Sequence, residues 1–255
     1  MIEFSSDITS TTLLILTAVA FAAGFINAIS GGGGLITLPA LLWAGLPPLD
    51  ALGTNKFQAV FGTLSSSLNY FHKGHLQLQP LWTGLIAALA GSAVGTWTIT
   101  KLGAESLETL LPILIITIAL YFAFSPRISD IDSEPRMRQG SFNLIVGSVV
   151  GFYGGFFGPG IGSIFATAFT ALLGYNMRKA TASTKPLVLA TNTISLVIFI
   201  ASGHLALILG ITMAIAQVIG ARLGSNLVIS HGAKLVKPVV IFATIAVAIK
   251  LLMEP

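Results

Sequence analysis

From Ile8 to Leu49 the chain carries no charged residue, and four more such stretches follow: Gly74 to Thr100, Thr109 to Pro126, Gln139 to Met177 and Pro186 to Ala221. A helix that crosses a bilayer needs about 20 mostly apolar residues, so several of these runs hold one span and the longest hold two. Charged residues make up 9% of the chain, against about a quarter in a water-soluble domain, and the mean hydropathy is +0.90. The runs predict an all-α polytopic membrane protein whose partner is the lipid bilayer.

A net charge of +4 and a pI near 9.5 raise the question of a nucleic-acid partner. The basic residues are too thinly spread for one, and membrane topology accounts for them better. With no cysteine, the chain has no disulfide, thiolate metal site or cysteine nucleophile. Ahead of the first apolar run stand Glu3 and Asp7 but no Lys or Arg. That is unlike the basic start of a cleaved signal peptide, so the first run is expected to be a retained span.

The chain also repeats itself. Gly24-Phe25 returns as Gly151-Phe152, the glycines Gly31 to Gly34 return as Gly158-Pro159-Gly160-Ile161-Gly162, and Thr54-Asn55-Lys56 returns as Ser183-Thr184-Lys185. Gly74-His75-Leu76 returns as Gly203-His204-Leu205, and the pair Gly91 and Gly95 as Gly220 and Gly224. The offset is about 127 residues before the glycine break and about 129 after it. Residues 1–124 thus form a first membrane repeat and residues 141–255 a second, joined by the polar linker 125–140.

Each repeat reads as five segments. The first holds Thr11 to Ser30, Leu35 to Trp43, Phe57 to Phe71, Leu78 to Thr100 and Leu107 to Phe124; the second holds Ser141 to Phe157, Ser163 to Leu173, Leu187 to Ala201, Leu205 to Asn226 and Val236 to Leu252. The second segment of each is only about 10 residues, or about 15 Å as a helix, half of what a bilayer needs. Each is a half-helix, a re-entrant element or a strongly mismatched span.

Positive charge tests the topology. If each repeat changes sides an odd number of times, Lys73, Arg127, Arg136, Arg138, Arg178, Lys179, Lys234 and Lys237 share one side against Lys101 and Lys250. An even number divides them equally, so the odd count is preferred. It inverts the second repeat relative to the first, and places the N-terminus outside and the linker in the cytoplasm of a cell bounded by an inner membrane. Inverted repeats with broken helices are the architecture of many secondary transporters.

Backbone that leaves its helix inside a bilayer must be buried or line an aqueous cavity. Two glycine breaks at equivalent places in inverted repeats would converge near the midplane. The short helices that follow would aim free N–H groups and positive dipole ends into that space, which suits a small anion. Candidate binding residues at the breaks are therefore Gly31, Gly32, Gly33, Gly34, Gly158, Pro159 and Gly160. Asn27 and Ser30 either add donors beside the first break or cap its helix end. Lys56 and Lys185 read either as lysines snorkelling from helix ends or as the two ends of an anion path. Repetition favours the path, with Thr54, Asn55, Gln58, Thr184 and Asn192 as neutral donors nearby. The glycine pairs at Gly91/Gly95 and Gly220/Gly224 have the small-xxx-small spacing of close helix packing.

No Asp or Glu lies well inside a segment, which argues against a carboxylate proton relay and a hard-cation site. The four histidines sit at segment ends without metal-ligand spacing, so neither a metal nor another cofactor is expected. The glycine run lacks the Gly-Lys-Ser/Thr of a nucleotide loop. Ser30 and Ser163 have no histidine in a segment interior to activate them, so an enzyme is not expected.

The stretches Gly24 to Phe71 and Gly151 to Asn192 resemble the two halves of the sulfite exporter TauE/SafE family, in particular its YfcA-like permeases. The resemblance covers nearly the whole chain. It implies a membrane permease that exports small sulfur-containing anions such as sulfite or organosulfonates by alternating access. An anion channel without an alternating gate is the other reading. The resemblance points to the same glycines and to Thr54, Asn55, Lys56, Gln58, Thr184, Lys185 and Asn192. Pro186 departs from the family pattern, and since proline removes a donor and fixes φ near −65°, the helix after Lys185 is predicted to start there. Substrate, direction, coupling ion and oligomeric state stay open.

Overall fold

The computed structural model describes residues 9–123 and 131–231. Among them the chain is helical throughout, without strands: α1 (Ser10–Ser30), α2 (Gly34–Trp43), α3 (Pro48–His72), α4 (Trp82–Thr100, entered by a short 3₁₀ turn), α5 (Ala104–Ala123), α6 (Gln139–Phe156), α7 (Ile161–Leu173), α8 (Met177–Ala201) and α9 (Leu207–His231). The expected last segment, Val236 to Leu252, lies outside the described residues. So do residues 125–130 of the linker.

Polar groups lie buried among the apolar core, and large apolar side chains also cover much of the outside. Asn55, Lys56, Gln58, Asn69, Thr96, Asn143, Lys185, Asn192 and Gln217 are buried, whereas Leu14, Trp43, Trp82, Trp97, Val149 and Ile215 are exposed. Water would disfavour such an outer face. A lipid-facing bundle requires it, because hydrocarbon solvates the outer face while polar groups must find partners inside. Four described helices, Ser10–Ser30, the turn and helix Gln79–Thr100, Met177–Ala201 and Leu207–Ser230, are long and apolar enough to cross a membrane. The short helices are as short as expected. At 10 and 13 residues, α2 and α7 reach about 15 and 20 Å, against roughly 30 Å of hydrocarbon.

Two helix starts differ from expectation. Instead of beginning at Phe57, α3 begins at Pro48, which sits at its first helical position with Asp50 in the first turn. Proline there loses no bond the helix could have made. The polar run through Lys56 stays helical because its side chains are buried rather than looped into solvent. Likewise α8 begins at Met177, not at Pro186. Asn176 caps it by accepting from the Lys179 backbone N–H (2.9 Å), a favoured N-terminal arrangement. Pro186 then lies within the helix, where a membrane bundle tolerates the missing bond.

The glycine pairs bind the repeats to each other. Gly91 and Gly95 of α4 lie against the backbone of α6 at Ser148, Phe152 and Phe156 so closely that a Cβ has no room. Gly220 and Gly224 of α9 lie in the same way against α1 at Phe21 and Phe25. The main partners of α4 are α6 and α8, and those of α9 are α1 and α3. Each repeat therefore packs its fourth helix on the other.

Candidate functional site: two glycine breaks and two crossed lysines

The break between α1 and α2 starts at Gly31, in the left-handed region (φ 79°), whose N–H bonds Asn27 O at 2.9 Å. The helix α2 resumes at Gly34 without a side-chain cap. In the second repeat α6 ends at Phe156, and α7 starts after left-handed Gly160 (φ 80°), again without a side-chain cap. The two breaks touch: Gly31 lies against the backbone of Gly162 and Ser163, and a Cβ on Gly34 would fall 3.0 Å from Pro159 Cα. The Ser163 hydroxyl donates to Ser30 O across the same seam.

Among the described residues, the backbone N–H groups of Gly32, Gly33, Gly34, Gly160 and Gly162 make no hydrogen bond. All of these glycines are buried except Gly34, which is half-buried. A buried unpaired N–H costs about 1–3 kcal/mol and is rare in folded proteins. Here several such donors collect at two adjoining helix N-termini, where the dipole is positive.

The carbonyl ends of the same breaks are treated oppositely. Lys56 of α3 reaches into the second repeat, donating to Gly154 O in the last turn of α6 and to Asn192 Oδ1 (3.3 Å). Lys185 of α8 reaches into the first repeat, donating to Asn27 O in the last turn of α1 (2.6 Å). Both side chains are 1% exposed. Each lysine stands eight residues past its helix start, about 12 Å along the axis. Both therefore lie inside helices rather than in loops, and the earlier helix starts bring them to the two breaks. The two lysine Nζ groups thus satisfy carbonyls at the ends of α6 and α1, while the glycine amides at the starts of α2 and α7 make no such bond.

The other expected residues divide. Asn192 joins Lys56, and the Asn27 side chain reaches Thr63 Oγ1 at 3.4 Å. Asn55 Oδ1 accepts from Thr37 Oγ1 of α2 (2.6 Å) and from Gln58 Nε2 (3.3 Å), while Gln58 Oε1 is buried with no partner. Thr54 faces elsewhere, accepting from Ala206 N at 3.0 Å. The Thr184 and Ser30 hydroxyls return to their own helices, to Thr181 O and Ile26 O. The sequence reading missed Gly154, Thr37 and Thr63. The repeat offsets relate Gly154 to Asn27 and Thr63 to Asn192, and were the signal for both.

The pattern of the sulfite exporter TauE/SafE family matches residues 16–251. A probable membrane transporter protein of Haemophilus influenzae is 42% identical over 97% of both chains. One of Sinorhizobium sp. is 41% identical over 98% of this chain and 95% of its own. The probable membrane transporter protein YfcA of Escherichia coli is 41% identical over 94% of this chain and 89% of its own. No solved structure matches. With a family match that spans both glycine breaks and both lysines, this membrane transporter belongs to the sulfite exporter TauE/SafE family.

Proposed function

We propose that the chain is a secondary transporter that exports small sulfur-containing anions, sulfite or an organosulfonate, across the inner membrane, with the anion held where the two glycine breaks meet. The observation that carries this is the group of unpaired amides at Gly32 to Gly34, Gly160 and Gly162, beside the buried Nζ groups of two lysines. A tetrahedral or pyramidal oxyanion has several acceptor oxygens, and aligned helix N-termini bind such groups without a cationic side chain in direct contact. The repeats are inverted in this reading, with the N-terminus outside and the linker in the cytoplasm. Rocking of one repeat against the other exposes the anion to each side in turn. The crossed lysines support this, since each belongs to one repeat and holds a helix end of the other.

The membrane potential drives export in this proposal, because an anion leaving a negative-inside cell gains about 2.3 kcal/mol per charge per 100 mV. Among the described residues no Asp or Glu is buried, so no interior carboxylate stands ready to couple protons.

Flux of sulfite from proteoliposomes tests the reading. Wild-type flux should saturate with concentration and respond to an imposed potential. Lys56→Met and Lys185→Met should each lower it about tenfold or more, since a hydrogen bond to a charged group contributes about 1.5–3 kcal/mol. Circular dichroism checks whether the variants remain helical. Folded variants with wild-type flux, or a wild type that moves neither sulfite nor sulfonates, would overturn the proposal. A wild type that answers only to a pH gradient would remove its energetic part.

A further inference from the structure

At the linker end of the bundle a cavity of about 580 Å³ opens between the linker, the start of α6 and the turn between α7 and α8. Main-chain bonds build it. Ser133 N donates to Gly174 O (2.8 Å), and Arg136 N and Met137 N both donate to Leu172 O (2.8 and 3.0 Å). The linker backbone is thus held on carbonyls at and just past the end of α7, and its exposed side chains border the cavity. Arg136, Arg138 and Lys179 line it, with Asp132 as the one carboxylate among the lining residues.

Asp132 is already engaged, its Oδ1 accepting from Asn176 N at 2.7 Å. Among the described residues, neither Arg136 nor Arg138 has an ion pair or a side-chain hydrogen bond. Lys179 Nζ lies 3.9 Å from the centre of the Tyr175 ring, which holds the ammonium in place without neutralising it. Burial, and then the charge of Asp132, raises the Tyr175 phenol above its usual pKa, so it adds no negative charge near neutrality. Gln139, at the start of α6, accepts from Tyr175 Oη at 3.0 Å and completes the lining.

We propose that this cavity binds a phosphate group, carried either by the headgroup of an acidic phospholipid or by free phosphate. Two unpaired guanidinium groups and a lysine around one space match several anionic oxygens, and arginine forks bind phosphate in bidentate fashion. Basic pockets at the ends of membrane helices hold acidic headgroups by this chemistry. The site is separate from the glycine breaks, and its existence does not depend on what the breaks carry.

Thermal unfolding of the purified full chain in detergent tests it, since a ligand of the folded state raises stability. One arm adds phosphatidylglycerol to mixed micelles against phosphatidylcholine. The other adds inorganic phosphate against chloride at equal ionic strength. At least one probe is expected to raise the melting temperature by a few degrees, and which one does so names the source. The rise should be lost in the double variant Arg136→Gln/Arg138→Gln and kept in Lys101→Gln, which removes the same kind of charge elsewhere. Should the double variant not fold, Lys179→Gln alone is expected to reduce the rise. No rise with either probe, or a rise that Lys101→Gln reduces as much as the cavity variants do, would overturn the proposal.

Discussion

Gly31 and Gly74 hold nearly the same backbone conformation, with φ of 79° and 73°, in opposite surroundings. Around Gly74 nothing lies within 4 Å of where a Cβ would stand, whereas at Gly31 the backbone of Gly162 and Ser163 occupies that place. A side chain in the left-handed region costs roughly 1–2 kcal/mol, so Gly74→Ala should lower stability by about that amount and leave flux unchanged. Gly31→Ala adds a clash that only a separation of the two breaks relieves, and is expected to cost several kcal/mol and abolish flux. Melting curves and sulfite flux of the two variants decide it; equal losses would mean that the seam between the breaks contributes nothing. Much of this seam can be read from the residues, because the recurring motifs draw attention to the glycines, to Lys56 and Lys185, and to Asn192. Gly154 escaped because the lysine meets its carbonyl, and a backbone acceptor leaves no trace in residue identity. For the same reason the equivalent residue can be Asn27, whose side chain is turned to Thr63 instead.

The short helices α2 and α7 were visible in the sequence as apolar runs bounded by glycines, and their lengths came out as expected. Less visible were the first turns of α3 and α8. A run such as Asp50 to Lys56 looks like a loop if polarity is taken to mean exposure, and Pro186 looks like a start if proline is taken to end what precedes it. Both cues assume that polar side chains face water, whereas in this bundle Thr54, Asn55, Lys56, Thr184 and Lys185 are buried. Glycine spacing was a better guide, since small residues one turn apart serve close packing in either solvent. Gly95→Leu or Gly224→Leu should therefore force α4 from α6, or α9 from α1, at a cost of about 3 kcal/mol or more, the upper range of overpacking. Gly103→Ala, at an exposed position with nothing near the added methyl, should stay within roughly 0.5 kcal/mol of wild type. Denaturant or thermal unfolding in micelles measures all three. A tolerated leucine at 95 and 224 would show that these helix pairs are looser than their glycines imply.

The recurring motifs were plain in the sequence, but how the two halves meet was not. The helices α4 and α9 are apolar on most sides, and a surface that is apolar all round names no partner. The exchange, with α4 on α6 and α8, and α9 on α1 and α3, is a property of the assembled molecule. Other ties run the same way: Asp50 pairs with His204 Nδ1 at 3.0 Å, Thr54 accepts from Ala206 N, and both lysines cross between repeats. A repeat alone would leave its fourth helix without its main partners, one break with an unneutralised helix end, and one lysine buried without its acceptor. Burying a charge without a partner costs several kcal/mol, comparable to the whole stability of a typical domain. Fragments 1–130 and 131–255, expressed separately, should therefore fail to give a cooperatively melting helical protein. Expressed together, with an affinity tag on one, they should copurify and restore flux, because the packing between repeats does not need the linker to be continuous. Either fragment melting cooperatively by itself would mean that each repeat is an independent folding unit and that the exchange only docks two finished halves.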